Sequence, residues 1–275
     1  MSYIYSFFMG IIQGLTEFLP VSSSGHLIIF NMLFGEGESN LFFDVVLHFG
    51  TLVAVFIAFW KDIWELICSF FGIFPPLFRK EKVDLTPGRN FVLMLVVSLL
   101  PLFIVLPIHD QIESLFSVPL FVGCTLCVTA ILLFLADYFS RGNKTHENGA
   151  TWKDALFVGF AHLIAVIPGL SRSGTTTTAC LYRGFSREFS VKFTFIMSIP
   201  TIVAAFLLEL FKCYDSIDSA LFGQYFVGFL TSLVVGYLAI WMVRWIAKNG
   251  RFSVFSLYCL AMGAFTITWS LLSRA

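Results

Sequence analysis

Four stretches of the chain contain no Asp, Glu, Lys or Arg: Phe91–Ile108, Leu115–Ala136, Ser219–Val243 and Phe252–Ser273. Each is close to the roughly 20 apolar residues that carry a helix across a bilayer core. Val45–Trp60 and Phe193–Leu208 are slightly shorter and read as two further spans. Two other apolar stretches are interrupted, at residues 13–26 and 168–178, by a proline, a run of hydroxyl side chains and a glycine. Their arms are about 10–15 residues long, too short to cross. They are expected to enter the membrane and turn back. Lys61–Phe78, ended by Pro75-Pro76, reads as an interfacial helix.

The two interrupted stretches are related. Gly10 and Gly25 recur as Gly159 and Gly174, 149 positions further on, and Thr51–Phe56 recurs as Thr201–Phe206, 150 further on. Apolar helices resemble one another by chance, but a steady offset across polar and apolar landmarks points to duplication. Basic residues gather at 79–90 (Arg79, Lys80, Lys82, Arg89), 141–153 (Arg141, Lys144, Lys153), 183–192 (Arg183, Arg187, Lys192) and 244–251 (Arg244, Lys248, Arg251). These read as cytoplasmic, whereas 36–44 (Glu36, Glu38, Asp44), 109–113 and 209–218 lean acidic and read as extracytoplasmic. The pattern closes if each half has one hairpin and three crossings, an odd number that turns the second half upside down. The expected fold is an all-α polytopic membrane protein with an inverted-topology repeat, six crossings and two re-entrant helix hairpins. It forms a single membrane domain over 1–275, with a first repeat at 1–140 and a second at 150–275.

Composition supports this reading. Of 275 residues 58% are hydrophobic and 12% charged, about half the charge of a soluble domain. A formal net charge of zero gives no electrostatic footprint for nucleic acid. The N-terminus lacks the basic region and small-residue cleavage site of a removable signal peptide. Cysteines 68, 124, 127, 180, 213 and 259 lie in or beside apolar stretches and read as packing residues, the Cys124–Cys127 pair included.

The chemistry lies at the interruptions. Non-helical backbone at membrane depth is tolerated only when buried in protein or lining a wet cavity, and broken helices of inverted repeats meet near the midplane. Each interruption opens a half-helix whose N–H groups and positive dipole end favour an anion, phosphate especially. Ser22, Ser23 and Ser24 would cap one half-helix, and Ser171, Ser173, Thr175 and Thr176 the other; capping alone, without a ligand, would also explain them. Arg172 weighs against that, because a guanidinium at this depth is costly unless paired or solvated and its planar fork suits phosphate oxygens. An ion pair with Glu17 is the structural alternative. Glu17 shares a helix face with Gln13 and could serve as general base or as a Mg2+ or Ca2+ ligand. His26 could act as nucleophile, acid or base. His162 is expected to face Gln13 across the repeat; His48 is a weaker candidate. His109 and Asp110 read as outer-surface residues, and Asp137, Arg141 and Lys144 as a solvated helix end. No P-loop, GxGxxG or HExxH motif is present.

Gln13-Gly-Leu-Thr-Glu-Phe-Leu-Pro-Val-Ser-Ser-Ser-Gly-His26 and Pro168-Gly-Leu-Ser-Arg-Ser-Gly-Thr-Thr176 resemble the two signature segments of bacterial undecaprenyl-diphosphate phosphatases of the bacitracin-resistance type. The resemblance covers essentially the whole chain. It implies hydrolysis of undecaprenyl diphosphate to the monophosphate and inorganic phosphate. This recycles the lipid carrier for cell-wall polysaccharide and peptidoglycan synthesis and confers bacitracin resistance. It further implies a multi-pass protein of the bacterial cytoplasmic (inner) membrane, a site facing the extracytoplasmic side, a polyprenyl diphosphate substrate and a divalent cation. By the same resemblance Glu17, Ser23, His26 and Arg172 match essential positions, with Ser171, Ser173 and Thr176 as supporting residues; Ser22, Ser24, Gly174 and Thr175 are expected beside them around the diphosphate, and Glu17 and Gln13 toward the metal. Many members carry Glu where this chain has Gln13, which should weaken a metal site. A transporter or flippase of polyprenyl phosphate is the competing reading, and a homodimer is left open. Type-2 phosphatidic-acid phosphatases share a Ser-Gly-His element but need a His where this chain has Thr178.

Overall fold

The computed structural model describes residues 1–34, 41–74, 86–140, 150–213 and 218–273. Helices α1 (Tyr3–Phe18) and α2 (Ser23–Phe34) precede α3 (Leu41–Ala58) and α4 (Trp60–Phe71). Next come α5 (Pro87–Leu99), continued by a 3-10 segment to Ile108, the short α6 (His109–Ser114) and α7 (Pro119–Phe139). The second half holds α8 (Trp152–Ile164), α9 (Arg172–Tyr182), α10 (Arg187–Cys213), α11 (Phe222–Asn249) and α12 (Ser253–Leu272). Among the described residues there is no strand. Among the described residues five helical segments are long and apolar enough to cross a membrane: Pro87–Ile108, Pro119–Phe139, Arg187–Lys212, Ser219–Asn249 and Ser253–Leu272. The count rises to six if α3 and α4, bent by 81° at their junction, are taken as one span. That bend sends α4 off as an amphipathic helix with no buried residue, its Trp60 and Trp64 exposed, as an interfacial helix requires.

Helices α1, α2, α8 and α9 pair into two hairpins. α1 begins with Ser2 capping the Tyr5 N–H and ends where Leu19 turns extended before Pro20, as residues preceding proline do. The chain then returns, since the Tyr5 hydroxyl donates to Asn31 near the far end of α2 at 2.8 Å. α8 starts with a capping box between Thr151 and Asp154, and Arg183, just past α9, donates to Asp154 at 2.6 Å. So the second hairpin also returns to its starting level. Burial alone would raise the Asp154 carboxyl, but hydrogen bonds from Thr151 and Arg183 outweigh it and hold the group below the ordinary carboxylate range.

α11 serves as a ruler for depth. At its N-terminal end Gly223 lies against Tyr3 of α1. At its other end the Gly250 carbonyl accepts from Arg187 at 2.6 Å, four residues beyond the Arg183 that closes the second hairpin. The hairpins therefore open toward opposite ends of α11, which spans about 42 Å. The tip of the first reaches the middle: a Cβ placed on Gly236 would stand 3.0 Å from the Phe18 ring. Small residues permit this depth. A Cβ on Gly14 would stand 2.9 Å from the Ser232 carbonyl and from the Gly236 N–H, so only glycine lets α1 and α11 approach backbone to backbone.

The structure corrects two expectations at the helix ends. Asp137 is not a solvated terminus: it accepts from Arg187 at 2.7 Å and from the first N–H groups of α12, Phe252 at 3.1 Å and Ser253 at 2.9 Å. It thereby ties α7, α10 and α12 together. Asp44 belongs to the first turn of α3 rather than to a loop. Glu36, Glu38, Pro75-Pro76, Arg79, Lys80, Lys82, Arg141 and Lys144 lie outside the described residues, as do the side chains of His109 and Cys213.

Candidate active site

The first tip is four residues long, 19–22. Pro20 cannot donate a backbone hydrogen bond, and Ser22 adopts φ 73°, a left-handed conformation that non-glycine residues rarely hold and that clusters at functional sites. The turn aims α2 back along α1 and leaves Ser22 as its cap, its Oγ accepting from the Gly25 N–H at 3.2 Å. The second tip, 165–171, uses Gly169 at φ 84° for its reversal. There Ser171 caps α9, accepting from the Gly174 N–H at 3.1 Å.

The tips meet. Ser24 Oγ accepts from the Gly169 N–H at 3.4 Å, and Ser173 Oγ donates to the Leu19 carbonyl at 3.3 Å. Between them Arg172 Nη2 donates to Glu17 Oε1 at 3.0 Å. The Glu17 side chain is only 3% exposed and is fully engaged, its Oε2 accepting from Gln13 Nε2 at 3.0 Å and from Ser23 Oγ at 2.7 Å. Gln13 and Glu17 thus share one face of α1, as their spacing requires.

The capping roles expected of the serines and threonines hold for only two of them. Ser23 turns to Glu17 and Ser24 to the opposite tip. Ser173 bridges to Leu19, and Thr176 donates to the Arg172 carbonyl at 2.7 Å, the back-bonding usual for a hydroxyl inside a helix. Thr175 Oγ1 is buried with no partner. The His26 ring is held at both nitrogens, Nδ1 by the Ser22 carbonyl at 2.8 Å and Nε2 by the Tyr258 hydroxyl at 2.7 Å.

Among the described residues, buried side-chain polar atoms without a hydrogen-bond partner are Gln13 Oε1, His162 Nδ1, Arg172 Nη1, Thr175 Oγ1 and Gln224 Oε1. All but the last belong to the two hairpins. Gln13 and Arg172 both hold Glu17, Thr175 follows Arg172 by one turn, and His162 lies within electrostatic reach of Arg172. Each such atom costs about 1–3 kcal/mol unless something fills it. The cluster combines donors and acceptors around a guanidinium, and both half-helices begin there with their positive ends converging. Arg172 Nη1 and Thr175 Oγ1 are donors that an oxyanion could accept from, whereas Gln13 Oε1 only accepts and calls for a donor or a cation.

Other residues at the site were ranked low in the sequence or not singled out there. His48 Nε2 comes within 3.8 Å of Glu17 Oε2, placing this weaker candidate beside the central carboxylate. Thr125 and Thr129 of α7 hold the second tip: Thr125 donates to the Pro168 carbonyl at 2.7 Å, and Thr129 donates to the Gly169 carbonyl at 3.2 Å while accepting from the Ser171 N–H at 3.1 Å. These are backbone groups that no helix ladder serves. A Cβ on Gly169 would stand 2.0 Å from Thr125 Oγ1, so the threonine also fixes how close the tip lies. Replacing both threonines by valine is expected to destabilise the protein by about 2–4 kcal/mol, read as a lower melting temperature in detergent. Unchanged melting would show that the tip does not depend on them.

A divalent cation fits these residues in one form. The described residues contain no group of three His, Cys, Asp or Glu side chains disposed around a metal position. Around Glu17 the oxygen donors are its carboxylate, Ser23 Oγ and the unfilled Gln13 Oε1. One carboxylate with neutral oxygens suits a hard cation that completes its shell with water and phosphate oxygens, rather than one caged by protein alone.

The chain matches the family described as bacitracin resistance protein BacA over residues 6–265. A protein of Methanosphaera stadtmanae named undecaprenyl-diphosphatase is 37% identical over 270 residues, covering 95% of this chain and 96% of its own length. One of the same name from Desulfosudis oleivorans is 41% identical over 271 residues, covering 94% and 95%. Another, from Bacteroides thetaiotaomicron, is 38% identical over 271 residues, covering 96% and 97%.

Proposed function

This chain belongs to the bacitracin resistance protein BacA family, and from that premise we propose that it hydrolyses undecaprenyl diphosphate to undecaprenyl phosphate and inorganic phosphate. The observation that carries the reading is the Arg172 guanidinium, one nitrogen paired with Glu17 and the other buried without a partner where two half-helices begin. It is built to take an anion. Arg172 Nη1, Thr175 Oγ1 and the half-helix N–H groups would bind the diphosphate oxygens and stabilise the charge that spreads over them during transfer.

The 2.7 Å bond from Ser23 Oγ to Glu17 favours Ser23 as nucleophile and Glu17 as its base. As the Ser23 oxygen bonds to the terminal phosphorus, its proton passes to Glu17. The bond from that phosphorus to the bridging oxygen breaks, and undecaprenyl phosphate leaves. Water then attacks the phosphoserine, giving its proton to His26 Nε2 once the Tyr258 hydroxyl has turned aside. Glu17 returns its proton to Ser23 as the phosphorus–Ser23 bond breaks, and His26 passes its own to the departing phosphate. A divalent cation held by Glu17 and Gln13 would neutralise charge on the phosphates.

Arg183, Arg187, Lys192 and Arg244 lie at one end of the molecule, whereas Asp110, Glu113 and Asp218 lie at the other. With the basic end in the cytoplasm, the first hairpin opens to the extracytoplasmic face, and the halves form an inverted repeat in the cytoplasmic membrane. Returning the monophosphate there recycles the carrier for cell-wall polysaccharide and accords with bacitracin resistance in the family's description. Purified protein given a C55 prenyl diphosphate in detergent is expected to release one phosphate per lipid, and EDTA to slow release about tenfold or more. Transport of polyprenyl phosphate across vesicles with no phosphate release would overturn the reading in favour of a flippase.

A further inference from the structure

His26 is held through both ring nitrogens, and the two ties are not interchangeable. Nδ1 lies 2.8 Å from the Ser22 carbonyl oxygen, an atom that can only accept. In the neutral ring Nδ1 therefore carries the proton and Nε2 has the lone pair. The Tyr258 hydroxyl, 2.7 Å from Nε2, is then the donor in that bond. The rings also stack, with centroids 5.5 Å apart and planes 8° from parallel. Tyr258 comes from α12, at the opposite end of the sequence, and the Sγ of its neighbour Cys259 lies 3.8 Å from the Pro20 carbonyl. α12 thus grips the strained first tip on both sides of its reversal.

We propose that Tyr258 is a positioning residue for His26, fixing its plane and tautomer so that Nε2 is the basic nitrogen offered to the reaction. The proposal rests on the phosphatase reading above. A phenol suits the task because its oxygen both donates and accepts. It donates to Nε2 in the resting ring, turns aside while the reacting water gives Nε2 its proton, and then accepts from the same nitrogen. Tyr258 is 44% exposed, so it can turn aside without leaving a buried hydroxyl unpaired. Phenylalanine would keep the stacked face and lose both roles.

The test is Tyr258→Phe in the full-length protein, with two readouts. Steady-state phosphate release should show kcat lowered about tenfold and KM changed by less than about twofold. The nitrogen-15 spectrum of His26 should show a protonated Nδ1 and a hydrogen-bonded bare Nε2 in the wild type, with the Nε2 resonance displaced in the variant. A kcat within about twofold of wild type, or a spectrum indifferent to the substitution, would overturn the proposal. A merely structural tyrosine would lower the melting temperature and displace the Nε2 resonance while leaving kcat within about twofold of wild type. If the wild type released no phosphate, the phosphatase reading would fall, and the spectrum would still decide whether Tyr258 fixes the tautomer.

Discussion

Arg172→Ala is expected to lower kcat/KM for phosphate release by about a thousandfold or more. Removing a single preorganised donor to a developing oxyanion costs about two to three orders of magnitude, and this side chain contributes more than one donor. Nη1 is buried and unpartnered, ready for a phosphate oxygen, while Nη2 holds Glu17 Oε1 at 3.0 Å. Alanine removes the anion contact and releases the carboxylate that orients Ser23. It also leaves Glu17 buried among Gln13, Ser23 and His48 without its cation, which can cost about 3–5 kcal/mol of stability. Arg172→Lys separates these effects. Lysine keeps the charge near Glu17 but lacks the planar fork, so it should restore most of the melting temperature and less than about a tenth of the activity. An Arg172→Ala protein that turns over near the wild-type rate would sink the assignment. So would a lysine variant that recovers full activity, since charge alone would then suffice.

The parts of this site legible in the sequence are those whose presence at membrane depth is expensive. Glu17 and Arg172 stand out because charge is rare in apolar helices, and Pro20, Gly25, Gly169 and Gly174 because they punctuate helices at a constant repeat spacing. Length alone marked the spans and the short arms. What could not be read depends on which way a helix faces. Thr125 and Thr129 look like ordinary hydroxyls in an apolar helix, and Thr125 does back-bond to the Phe121 and Val122 carbonyls at 3.2 and 2.9 Å. Only the rotation of α7 against the second tip gives them their additional acceptors. Tyr258 is one aromatic residue within an apolar span, and nothing in its spacing marks it. The run Ser22-Ser23-Ser24 suggested three equivalent caps, but a tight turn places successive side chains in different directions. One caps α2, one meets Glu17 and one crosses to Gly169. Asp137 was misread because its partners, Arg187 and the start of α12, are far away in sequence.

That division of labour among the serines yields the second large effect. If Glu17 acts through Ser23, each residue is useless without the other, and their losses should not add. Ser23→Ala removes the nucleophile while preserving the helix start, because Ser22 rather than Ser23 caps α2. Glu17→Gln preserves shape and can still pair with Ser23, but has no carboxylate to take its proton. Each is expected to lower kcat by about a thousandfold, and the double variant should be no more than a few-fold worse than either alone. Independent roles, with Glu17 serving only the metal or Arg172, would instead multiply the two losses toward a millionfold. The phosphoserine supplies a separate check. Rapid acid quench of wild-type protein with terminally labelled lipid should leave label on Ser23, and Glu17→Gln should slow both its appearance and its decay. Label found on His26 after a parallel alkaline quench, which spares the acid-labile phosphohistidine, would transfer the nucleophile's role to the imidazole, leaving the bond from Ser23 to Glu17 as support for the first tip.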